Sequence, residues 1–94
     1  LQYLIRQLDD DEFDISVSDY PLVLRPKSFE STLVEPSGYE ILVENCLISF
    51  SPEPPGLQIS FSGGLSAKDA DLIVNEILEN LEEVTGNKGK VIRL

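Results

Sequence analysis

The sequence predicts a single acidic α+β domain over residues 1–94. Its expected parts are a small, mainly antiparallel β-sheet, a long helix in the C-terminal half covering that sheet (about 66–85), an N-terminal helix and a short final strand. Three observations predict this class. Several stretches alternate apolar and polar residues, most clearly Leu57, Ile59 and Phe61 against Gln58, Ser60 and Ser62. One long stretch repeats its apolar residues every three or four positions instead. After it, a turn leads into the strand-like run Val91, Ile92 and Leu94.

Taken in order, residues 1–8 place Leu1, Leu4, Ile5 and Leu8 at helical spacing and predict the N-terminal helix. The acidic run Asp9, Asp10, Asp11, Glu12 should end it, because negative charge is unfavourable at a helix C-terminus. From Phe13 the period becomes two. Phe13, Ile15 and Val17 alternate with Asp14, Ser16 and Ser18, which predicts a strand. Pro21 interrupts the pattern before Leu22, Val23, Leu24 and Arg25 resume it, giving one kinked edge strand or two short strands. A short strand is expected around residues 31–35, followed by a turn at Pro36, Ser37 and Gly38.

Tyr39, Ile41 and Val43 share one strand face, but the apolar phase then moves to Cys46, Ile48 and Phe50. Such a slip exchanges the two faces. It predicts two strands joined near Glu44 and Asn45, with a single bulged strand as the alternative. Residues 52–56 form a proline-rich connection, with Pro55 and Gly56 suited to a type II turn. The arms 46–51 and 57–62 should therefore make an antiparallel hairpin. Gly63 and Gly64 then release the chain into a helix N-capped by Ser66, with Asp69 three residues on. Ala70, Ile73, Val74, Ile77, Leu81 and Val84 form its apolar stripe, Glu76, Glu79, Asn80, Glu82 and Glu83 its polar side, and Gly86 its C-terminal stop.

Composition narrows the function. Seventeen acidic residues against seven basic ones give a net charge of −10. That field repels nucleic acid and anionic membrane surfaces, so neither is expected as a partner. With no histidine and one cysteine, the usual structural zinc sites and histidine-based triads cannot be assembled from this chain. No apolar run is long enough to span a bilayer, and the N-terminus lacks the basic–apolar–small pattern of a signal peptide. Opening on Leu1 rather than Met leaves room for residues before it. A lone cysteine is compatible with a reducing cytoplasm, the expected location.

The candidate surface for a partner comprises Asp9, Asp10, Asp11, Glu12 and Asp14 near the start, with Leu72, Glu76, Glu79 and Glu83 on the outer side of the helix. The acidic run lacks the glycine and glutamate spacing of a calcium loop and reads as a solvated turn. No catalytic residue, cofactor or metal ligand is assigned. The leading expectation is a non-catalytic protein-interaction module or small acidic regulator, such as an immunity-type inhibitor, that binds a basic protein. A structural accessory domain or homodimer subunit is the alternative. A carboxylate-based, metal-dependent enzyme ranks last.

Overall fold

A computed structural model describes residues 1–9, 13–34, 39–53 and 56–94, with backbone only for Val17 and Glu53. The described strands are β1 (Gln2–Gln7), β2 (Thr32–Leu33), β3 (Glu40–Val43), β4 (Cys46–Glu53), β5 (Gly56–Ser62) and β6 (Gly89–Arg93). Two α-helices accompany them, α1 (Tyr20–Val23) and α2 (Ala67–Thr85), with a 3₁₀ turn at Val17–Asp19 leading into α1. The strands form one sheet in the order β2-β3-β4-β5-β1-β6, every neighbouring pair antiparallel. This is the expected α+β class, a sheet with the long helix packed on one face.

The local code of α2 is realised. The Ser66 hydroxyl accepts from Asp69 N at 3.1 Å, supplying a partner for one of the four N–H groups a helix start leaves open. At the other end Gly86 adopts φ 75° and donates to Glu82 O. That left-handed conformation costs little without a Cβ. Ala70, Ile73, Val74, Ile77 and Leu81 are fully buried against the sheet. Opposite them lie Tyr3 and Ile5 of β1, Ile41 and Val43 of β3, Ile48 of β4 and Ile59 of β5. Cys46 belongs to the same core and is free. The radius of gyration, 12.0 Å, is that of a close-packed chain of this length.

The two-strand solution near Asn45 is the observed one. Glu44 and Asn45 carry φ of 48° and 68°, and positive φ at both central residues matches the twist of a tight hairpin. The second hairpin, β4 with β5, pairs Ser49 with Ser60 and Phe50 with Ile59. The strand expected within 31–35 is Thr32–Leu33, and the strand after α2 is β6. The expected turn at Pro36, Ser37 and Gly38, and Pro54 and Pro55 of the second, lie outside the described residues.

Three expectations are corrected. Residues 1–8 are not a helix but the strand β1, which fills the slot between β5 and β6. Tyr3, Ile5 and Gln7 are buried while Gln2, Leu4 and Arg6 point the other way. Pairing on both sides outweighs the helical spacing of the leucines. Residues 13–17 do not form a strand either, since both flanks of β1 are occupied. Phe13 and Ile15 still pack against the core. Residues 22–25, read as strand, include the end of α1, with Pro21 in its first turn, where the missing N–H costs nothing.

The stripe on α2 also needs two changes. Val84 is 49% exposed. Glu76 and Asn80, assigned to the outer side, are each only 8% exposed. The segment 23–28 packs along that flank of α2 and supplies the polar partners described next.

Candidate interaction surface

Four residues apart on α2, Glu76 and Asn80 present polar groups along one flank. The Glu76 carboxylate accepts from Ser28 N at 3.0 Å and from the Ser28 hydroxyl. Asn80 Nδ2 donates to Val23 O and to Arg25 O, both at 3.0 Å. Together they fasten the irregular segment 23–28 to the helix. Glu76 therefore leaves the candidate surface, because its carboxylate is committed inward.

What stays outward on α2 is Leu72, Glu79 and Glu83. Leu72 is 44% exposed, as its position away from the stripe implies. Glu79 is exposed. Glu83 is exposed and pairs with Lys27 at 3.1 Å, a surface ion pair worth about 1 kcal/mol at most. Near the start, Asp9 and Asp14 are exposed. Asp9 accepts from Gln7 Nε2 at 2.8 Å, and Gln7 Oε1 in turn accepts from Asn87 Nδ2 at 3.1 Å. Asp9 thus belongs to the β1 end of the sheet, not to the helix flank that carries Leu72. Asp10, Asp11 and Glu12 lie outside the described residues. Among the described residues no group of three or more Cys, Asp or Glu converges as a metal site would require.

A further acidic region was not expected from the sequence. Residues of two separate segments, Ser28, Phe29, Glu30 and Thr32 of one and Leu42, Glu44 and Asn45 of the other, line an open groove of about 580 Å3. Its size is within the range of ligand-binding clefts. A lining that combines Glu30 and Glu44 with Phe29 and Leu42 suits a long basic side chain, whose stem can cover apolar surface while its head meets anionic charge. Only the turn at Glu44 and Asn45 was readable beforehand. A smaller apolar cavity of about 140 Å3, bounded by Phe13, Tyr20, Leu57 and Leu81, falls below the usual cleft size.

Opposite the Glu76 flank, α2 is tied to the sheet by the Tyr3 hydroxyl, which donates to Asp71 Oδ1. Burial first, then the hydrogen bond and charge of Asp71, push the Tyr3 phenol up to about 12, against a smaller opposing effect of Arg93. Raising a phenol favours its neutral form in the folded state. Its stabilising contribution is therefore complete below pH 10 and lost as pH rises through about 12. Urea titrations across this window should show stability falling more steeply in the parent protein than in Tyr3→Phe, by about 1 kcal/mol per pH unit. Equal slopes would place the phenol outside this linkage.

No described helix is long and apolar enough to cross a membrane. A scan against protein-family models, a search of curated proteins and a search of solved structures each found no match to this chain.

Proposed function

We propose that this chain is a non-catalytic interaction module, a small acidic regulator or inhibitor that binds a basic protein. The observation that carries the proposal is its net charge of −10 together with the outward display of that charge on Asp14, Glu79 and the Glu30–Glu44 groove. A field of this sign accelerates encounter with a basic surface and disfavours acidic competitors. An immunity-type role, in which the acidic surface blocks the nucleic-acid site of a toxin, fits the same electrostatics. A cytoplasmic site of action belongs to the same proposal, with the buried thiol of Cys46 compatible with a reducing compartment.

Affinity capture at two salt concentrations tests it. The retained proteins should be basic at low salt, released as salt rises, and reduced by a Glu30→Lys, Glu44→Lys variant. Partners that are neutral or acidic and held independently of salt would overturn the proposal.

A further inference from the structure

The sheet ends in two edges of unlike length, two residues in β2 and five in β6. β6 is the last strand in the order and pairs only with β1, in an unbroken register from Tyr3–Arg93 to Gln7–Gly89. It has neither a proline nor a bulge, two of the devices that blunt a sheet edge.

Hydrogen bonding fixes which backbone groups of β6 face outward. Leu94 N donates to Gln2 O at 2.9 Å, and Leu8 N to Lys88 O at 3.0 Å. Antiparallel pairs alternate between bonded and non-bonded positions, so Lys88, Lys90, Ile92 and Leu94 turn their backbone groups to β1. Gly89, Val91 and Arg93 turn theirs away from it. The outward Gly89 N–H already has a partner, the Glu82 carboxylate at 3.1 Å. The N–H and C=O groups of Val91 and Arg93 remain as an open ladder, with no further strand beside them among the described residues.

Positive charge gathers at the same edge. Arg6, Lys88, Lys90 and Arg93 are four of the chain's seven basic residues. Lys90 lies opposite Arg6. Lys88, Lys90 and Arg93 are exposed, and none of these three forms an ion pair with a described residue. Two carboxylates at this end are engaged elsewhere, Glu82 with Gly89 N and Asp9 with Gln7 Nε2.

We propose that β6 accepts a further strand, an acidic extended segment of a partner protein, added antiparallel and bonded through the backbone of Val91 and Arg93. Main-chain hydrogen bonds supply the attachment, and alternate side chains supply the selectivity. Lys88 and Lys90 stand where facing side chains approach closest, because their own backbone groups bond the other way. Residues two apart in the incoming strand lie opposite them on one face, so both should be acidic. The residue opposite Ile92 should be apolar, and the one opposite Arg93 acidic. A second copy of this chain fits worse, since its own β6 would bring the same cations to the seam. The net charge of −10 does not prevent the match. At physiological salt it is screened beyond about 8 Å, and the facing pairs lie inside that distance. The proposal is independent of the basic partner, whose groove is lined by residues of β2 and β3 at the other end of the sheet.

The test uses the acetylated and amidated peptide Glu-Val-Thr-Glu-Ser-Glu, titrated into the full chain at about 0.15 M salt and followed by amide NMR. Paired antiparallel, its first residue meets Arg93, its threonine Val91 and its last residue Lys88. Saturable shifts and slowed exchange are expected at the Val91 and Arg93 amides, with Thr32 and Leu33 unmoved. Lys88→Glu combined with Lys90→Glu should raise Kd by at least about tenfold. With the parent protein, N-methylation of the peptide's threonine removes the N–H aimed at Val91 O and should raise Kd by at least about tenfold. N-methylation of the glutamate after it, whose N–H points away, should change Kd by less than about twofold. Absence of binding at about 1 mM peptide would mean that the cations only keep the edge unpaired, and would overturn the proposal. So would equal losses from the two methylations, equal binding of Lys-Val-Thr-Lys-Ser-Lys, or protection of the Val91 and Arg93 amides that grows with protein concentration alone.

Discussion

Gly56→Ala is expected to lower stability by about 3 kcal/mol or more, with a matching fall in the urea midpoint. A Cβ at Gly56 would lie 2.0 Å from Ile5 O and 2.9 Å from Ile5 C, both backbone atoms of β1. Neither can rotate away as a side chain would. β1 cannot retreat either, because its far side is paired with β6 from Tyr3–Arg93 to Gln7–Gly89. The substitution must therefore open the β5–β1 seam at Gly56 and Arg6, where the two strands are in register. Gly64→Ala is the control. A Cβ there meets nothing within 4 Å, so its effect should stay within about 0.5 kcal/mol. Equal losses from the two substitutions would mean that the close approach at Gly56 does not limit the fold.

Asn80→Ala is expected to cost about 2–3 kcal/mol, from the loss of two hydrogen bonds to main-chain carbonyls. Its amide satisfies Val23 O and Arg25 O at once. The next residue, Pro26, is buried and has no N–H to offer. The alanine leaves both carbonyls without this donor, and that of buried Val23, shut away from water, is the costlier one to leave unpaired. Asn80→Asp should be worse still, since it turns carboxylate oxygens toward two carbonyl oxygens. Amide exchange should show faster opening of residues 22–28 in both variants, with little change in β4 and β5. An aspartate milder than the alanine would contradict the donor role of Asn80.

Sequence alone resolved the elements whose cause is local. Ser66 with Asp69, and Gly86 past Thr85, bracket α2 with their own side-chain and backbone chemistry. The face exchange between Val43 and Cys46 demanded a turn at the place where positive φ occurs. β1 was not legible in the same way. Tyr3 takes its strand conformation from Ile59 and Arg93, far along the chain, while the nearby leucines imitate a helix. The segment 13–25 likewise alternates as a strand would, but the sheet has no vacancy for it there. At the candidate surface, counting acidic residues on the helix did not separate Glu76 from Glu79. The usable signal was Asn80, a poor helix former in mid-helix beside the apolar stripe, which points to a backbone partner.

The place of β1 in the sheet also governs when that sheet can be completed. During synthesis Tyr3 and Ile5 emerge before either flanking strand exists, and their partners Leu57, Ile59, Val91 and Arg93 follow far later in the sequence. The β3–β4–β5 meander can assemble from neighbours in sequence, whereas β1 must wait with both edges open. Loop closure of that length slows folding, and an unpaired apolar strand invites association with other nascent chains. A strand hydrogen-bonded on both sides in the mature sheet is thus the exposed liability of the growing one.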